Sequence, residues 1–90
     1  MSEDFSELIL ELHKKQLAII LALDRHKTMF FSEIRKLIRS NYDYTTSYLN
    51  DLKRRGLIEE YRVSRYRIYR ITSKGEMFAN AVKKILGIMG

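Results

Sequence analysis

Tyr42, Asp43, Thr46, Ser47, Asn50 and Arg54 recur at steps of three and four, the spacing that gathers side chains on one side of a helix. The set offers hydroxyls, an amide, a carboxylate and a guanidinium. Such groups hydrogen-bond to base edges and phosphates, and the leucines that a second protein-binding face would want are missing. Asn50 is the best base reader by type, because an amide can pair with both N6 and N7 of adenine. Thr46 can meet a thymine methyl, while Tyr42 and Ser47 suit phosphate. Asp43 repels phosphate unless it caps the helix or accepts a proton from cytosine. Further along, Arg62, Arg65 and Arg67 sit in a segment rich in β-branched and aromatic residues. An arginine-tipped ribbon can lie along a phosphate backbone or drop a guanidinium into a minor groove. Plainer readings stand beside these. Tyr42, Tyr44 and Tyr48 can fill space next to a core, and an edge hairpin carries charge to prevent sheet-to-sheet aggregation.

Other chemistry finds little support. His13 and His26 have no second ligand or carboxylate at metal-site spacing. Glu59 and Glu60 are adjacent in a strand-like stretch and point to opposite faces, which spoils them as an acid and base pair. The glycines form no phosphate-cradling loop, and no nucleophile sits beside a plausible base. The absence of cysteine removes disulfides, thiolate metal sites and thiol redox sensing. No enzyme, metal or cofactor is therefore expected. The net charge of +6 favours a polyanion partner. Its distribution says more: Lys53, Arg54, Arg55, Arg62, Arg65, Arg67, Arg70 and Lys74 face only Glu59 and Glu60 within their stretch, whereas Glu3, Asp4, Glu7 and Glu11 gather at the start. One end of the molecule should seek phosphate and the other avoid it.

The elements that must position these groups follow from apolar spacing. A helix is predicted over residues 4–25, with Asp4 and Glu7 in capping-box spacing. Phe5, Ile9, Leu12, Ile19, Ile20 and Leu23 form one stripe and Leu10, Leu17 and Leu21 a second, so one face is a candidate subunit interface unless it packs on the last helix of the same chain. Two short helices are predicted over residues 32–55. In the first, Ser32 is placed as N-cap and Ile34, Leu37 and Ile38 face inward, leaving Arg35, Lys36 and Arg39 outside, where they can touch phosphate. In the second, Asn41 or Asp43 caps and Thr45, Leu49 and Leu52 face inward until Lys53, Arg54, Arg55 and Gly56 stop the helix. A hairpin spans residues 57–72, turning at Ser64-Arg65, with Arg62, Arg65 and Arg67 crowding its tip. The final helix, residues 73–89, carries apolar residues over about half its circumference, wider than the roughly 100° stripe of an ordinary surface helix. Its Phe78, Val82, Ile85 and Met89, with Leu10, Leu17 and Leu21, are the predicted dimer contacts. Ninety residues make a single domain, and one this short has a thin core that a second copy would help to cover. No stretch reads as a membrane span or a secretory signal, so a cytoplasmic, nucleoid-associated protein is expected.

Ser32-Glu33-Ile34, Tyr48-Leu49, Leu52 and Gly56-Leu57-Ile58, followed by the run from Tyr69 to Gly75, resemble the winged helix-turn-helix superfamily of MarR-, PadR- and ArsR-like regulators, in particular small regulators of archaea and their viruses or plasmids. The resemblance covers roughly residues 14 to 80. It implies a mainly α fold with a small β-hairpin (α+β), in the order α, short β, α, α, β, β, α, with the first and last helices forming a dimer interface. It also implies a short strand at Thr28-Met29-Phe30 and a close approach at Thr72-x-x-Gly75. The partner implied is double-stranded DNA, bound by a homodimeric and sequence-specific transcription regulator; no small-molecule effector is specified. A sequence-blind chromatin-type protein, or a protein-interaction module burying Tyr42, Tyr61 and Tyr66, stands as the alternative.

Overall fold

The computed structural model describes residues 4–87. Its elements are α1 (Ser6–Glu11), α2 (Lys14–His26), β1 (Thr28–Phe30), α3 (Phe31–Ile38), α4 (Tyr42–Arg54), β2 (Ile58–Val63), β3 (Tyr66–Ile71) and α5 (Ser73–Leu86). The strands form one antiparallel sheet in the order β1-β3-β2, with Met29 opposite Tyr69 and Glu60 opposite Tyr69 on the other side. The expected short strand is therefore present and closes the base of the hairpin.

Helix α2 is the axis of the core. Its Ile19, Ile20 and Leu23 are fully buried among Ile34 of α3, Leu49 and Leu52 of α4, Tyr69 of β3 and Phe78 and Val82 of α5. Asp24, at the far end of α2, is nearly buried and pairs with Lys83 of α5, with Lys27 at 3.5 Å on its other side. Burial pushes the Asp24 carboxyl up, but the bond from Lys83 and the charges of Lys83 and Lys27 outweigh it and hold the group below its ordinary value.

The predicted single helix over residues 4–25 is two helices. Leu12 leaves helical geometry at ψ 144° and buries its side chain, and His13 becomes the N-cap of α2. The His13 Nδ1 accepts the Lys15 N–H at 3.0 Å while Gln16 Oε1 accepts the His13 N–H at 2.9 Å, so the chain can restart a helix without stranding donors. Phe5, not Asp4, is the N-cap of α1, so the expected Asp4–Glu7 capping box does not form; Asp4 instead accepts the Ser6 N–H at 2.9 Å. Two further differences lie in α3. Phe30, not Ser32, is the N-cap, its N–H bonded to Glu33 Oε1 at 2.8 Å. Leu37 turns outward and is 47% exposed, because Ile34 and Ile38 already fill the space against α2.

Helix α4 starts at Asn41, whose Oδ1 accepts the Tyr44 N–H at 2.7 Å. It stops before Gly56, which takes φ +78°, a conformation that favours glycine. Thr72 caps α5 through its Oγ1, which accepts the Gly75 N–H at 3.0 Å and donates to Gly56 O at 2.7 Å. At Gly75 a Cβ would lie 2.1 Å from Leu57 O and 2.7 Å from Ile71 Cγ1, so only glycine lets α5 close on the hairpin.

The predicted dimer contacts separate into three groups. Phe78 and Val82 are inside the subunit, Phe78 edge-on to Phe5 at 5.3 Å, and no surface of theirs remains for a second copy. Leu17 and Leu21 are half-buried against the same core. Leu10 and Ile85 are open to solvent, 85% and 62% exposed, with Leu86 beside Ile85. Met89 lies outside the described residues.

Candidate nucleic-acid interface

Because Thr45, Leu49 and Leu52 are pulled into the core, the opposite side of α4 is forced outward. Asp43, Thr46, Ser47, Asn50 and Arg54 line one concave strip along it, together with Tyr48 and Gln16. Asn41 takes the capping role, which leaves the Asp43 carboxylate on the outer face, where it can accept from a base amine. Asn50 and Ser47 are exposed. The Thr46 hydroxyl is buried and has no hydrogen-bond partner among the described residues. Arg54 is exposed but its guanidinium is held by Asp51 one turn back.

Asp51 is a hub that the sequence did not reveal. It accepts from Gln16 Nε2 at 2.8 Å and from Arg55 Nε at 2.9 Å, and Arg55 reaches on to Glu11 at 2.9 Å. Gln16, only 5% exposed, also donates to Tyr48 O at 3.3 Å, and the His13 ring lies 5.0 Å from that of Tyr48. Burial raises the Asp51 carboxyl, and the Gln16 and Arg55 bonds more than reverse it, leaving the group below its ordinary value. The α1–α2 joint is thereby bolted to the outward helix. Its position depends on polar contacts as well as on leucines.

The hairpin arginines do not act as one cluster. Arg65, at the turn, is exposed and lies 5.7 Å from the Tyr66 ring. Arg62 leans back towards Glu60 at 3.6 Å. Arg67, expected at the tip, points instead to the root: its guanidinium stands 4.1 Å from the centre of the Phe31 ring and 5.3 Å from that of Tyr42. The strand alternation put Arg67 on the face of Tyr69, and that face meets α3 and the start of α4. Beneath it the Tyr69 hydroxyl donates to Glu60 Oε1 at 3.3 Å, and burial, aided by the Glu60 charge, pushes the phenol up to about 12. Glu60 is itself held below its ordinary value, burial being outweighed by the bond from Lys53.

A third strip runs along the outer side of α3, lined by Ser32, Arg35, Lys36, Arg39 and Ser40, with no carboxylate among them. Ser32 also lines the groove at the hairpin root, as does Tyr42, the neighbour in sequence of Asp43 on the α4 strip. The three concavities thus adjoin. Tyr44 and Tyr48 stack at 6.3 Å to one side; Tyr48 packs on the core and Tyr44 stays exposed. Among the described residues no group of three or more His, Cys, Asp or Glu could hold a metal ion, and no helix is long and apolar enough to cross a membrane.

No family model matches the chain, and no curated protein matches its sequence. Solved structures do match in shape. A MepR–DNA complex from S. aureus superposes with a TM-score of 0.79 at 18% identity, covering 88% of this chain and 68% of that one. A mutant MarR from E. coli complexed with operator DNA gives 0.77 at 16% identity, over 88% of this chain and 59% of that one. A MarR family transcriptional regulator from Silicibacter pomeroyi gives 0.75 at 19% identity, over 88% and 57%. The chain spans little more than half the length of the last two. The fold is the winged helix-turn-helix, with α3 and α4 as its helix pair and β2–β3 as its wing.

Proposed function

We propose that this winged-helix chain is a sequence-specific double-stranded DNA-binding protein that works as a homodimeric transcription regulator in the cytoplasm. The observation that carries the reading is the outward side of α4, where Asp43, Ser47 and Asn50 stand polar and exposed between two strips of cations. Such a helix fits a major groove, with Asn50 and Thr46 towards base edges and Ser47 and Tyr42 towards phosphate. Arg65 at the wing tip and Arg35, Lys36 and Arg39 on α3 then fall on the backbone to either side. MepR and MarR are each seen with DNA, which supports the reading by analogy of fold.

The dimer is supported by apolar surface the subunit does not cover. Leu10 belongs to α1 and Ile85 and Leu86 to α5, and Phe5, the N-cap of α1, packs on Phe78 of α5. A pair formed there is expected to leave α4 and the wing free, and its two recognition helices to enter half-sites about one turn, ~34 Å, apart. Selection of sites from random duplex at two salt concentrations tests the whole reading. A palindrome with half-sites one turn apart is expected, bound more tightly than random duplex by at least ~10³-fold. A ratio near one supports the chromatin-type alternative, which the Arg54–Asp51 pair favours by occupying the one guanidinium of the reading helix.

A further inference from the structure

The groove at the wing root carries more aromatic surface than a duplex can use. Phe30 and Tyr66 are 45% and 54% exposed and meet edge to face with ring centres 6.1 Å apart. Both line the groove, with Arg62, Arg65 and Arg67 around them and no carboxylate among the lining residues. Strand β1 ends at Phe30, opposite Ile68, so Tyr66 and Arg67 are paired to β2 alone and the groove lies open along that edge of β3. A duplex presents base edges and phosphates to a protein; the faces of its bases are stacked on each other. Exposed rings beside guanidinium groups match a different ligand, an unpaired base that offers its π-face while its phosphate meets a cation.

We propose that this groove binds single-stranded DNA, stacking an unpaired base on Phe30 and Tyr66 while Arg65 and Arg62 hold the adjoining phosphates. Arg67 is engaged by Phe31 and Tyr42 and shapes the floor. Tyr42 opens α4 as well as lining the groove, so a strand leaving a duplex held on α4 runs directly into it. The site goes beyond the duplex reading and does not depend on it, because neither Phe30 nor Tyr66 belongs to the base-reading face.

The test compares a labelled oligothymidylate of about eight nucleotides with an abasic strand of equal length and charge, by fluorescence anisotropy at fixed salt. The protein should bind the oligothymidylate about tenfold more tightly or better, since one stacked base contributes about that factor. The Phe30→Leu/Tyr66→Leu double variant keeps the apolar cover but removes the rings, and should bring the ratio close to one while its duplex affinity stays within about threefold. Equal affinity of the unmodified protein for the two strands, or a ratio that survives in the double variant, overturns the proposal. Should the double variant fail to fold, Tyr66→Leu alone must lower the ratio, and an unchanged ratio there overturns it equally. Duplex binding by the same preparation is read separately. Its absence would sink the regulator reading and leave the strand site standing.

Discussion

Arg67 and Arg65 are two residues apart in the wing, and the structure gives them different work. Arg67 is a wedge: its guanidinium spans the Phe31 and Tyr42 rings at 4.1 and 5.3 Å and ties the wing to both helices of the helix-turn-helix. Partly exposed cation–π contacts contribute ~0.5–1 kcal/mol each, so Arg67→Ala should cost roughly 1–2 kcal/mol. In a domain of this size that lowers the melting temperature by about 5–15 °C. Arg67→Lys keeps the charge but not the plane, and should recover only part of the loss. Arg65 has one ring at 5.7 Å and is otherwise exposed, so Arg65→Ala should stay within about 0.5 kcal/mol of the parent. Its effect belongs on DNA: losing one phosphate contact should flatten the slope of log affinity against log salt by ~0.9. Thermal melts by circular dichroism and salt titrations of duplex binding measure both. An Arg67→Ala variant that melts with the parent and flattens the salt slope as much as Arg65→Ala would refute the division of labour.

Three other perturbations probe the supports of the site. Gly75→Ala should destabilise by at least ~2–3 kcal/mol in urea titration, because its Cβ falls 2.1 Å from the Leu57 carbonyl, which also accepts the Thr72 N–H. Gln16→Leu removes one of the three donors to Asp51 and leaves the His13 N–H without its acceptor, and should cost ~1–3 kcal/mol and weaken duplex binding through a loosened α4, read by anisotropy on one fixed duplex. Asp24, Asp51 and Glu60 bind a proton less readily in the folded chain than in the unfolded one, so acid favours unfolding. Their contribution should be whole above about pH 5 and lost as pH falls through their lowered values, seen as a urea midpoint that is flat from neutrality and then drops.

The helix pair was legible from local signals, while the order of elements, the short first strand and the approach at Gly75 came from the family resemblance. Ile34 and Ile38, then Thr45, Leu49 and Leu52, mark two helices by spacing, and Arg55-Gly56 marks where the second must end. The break at Leu12–His13 was not legible, since the apolar spacing runs through it and a histidine is an uncommon cap. Half of α5 is apolar, and periodicity cannot say which part of that half faces inward; Phe78 and Val82 went to the subunit's own core, leaving Ile85 outside. That Asp43, Ser47, Asn50 and Arg54 turn outward on α4 was legible because Thr45, Leu49 and Leu52 are so clearly core, whereas the half-buried Thr46, with its hydroxyl inside, was not. The bolt through Gln16, Asp51 and Arg55 and the wedge of Arg67 on Phe31 join residues distant in sequence, and only the packed chain brings them together. Tyr66 stands between Arg65 and Arg67 in the sequence, but nothing there places Phe30 beside it; the packed chain brings the two rings together.

Amide chemical-shift mapping by NMR, with a selected duplex titrated into labelled protein, tests most directly that α4 and the wing tip are the duplex-binding surface. Shifts should concentrate at Ser47, Asn50 and Arg65 and along Arg35 to Arg39, while Leu10 and Ile85 remain unmoved. Shifts confined to α1 and α5, or none at physiological salt, would contradict it.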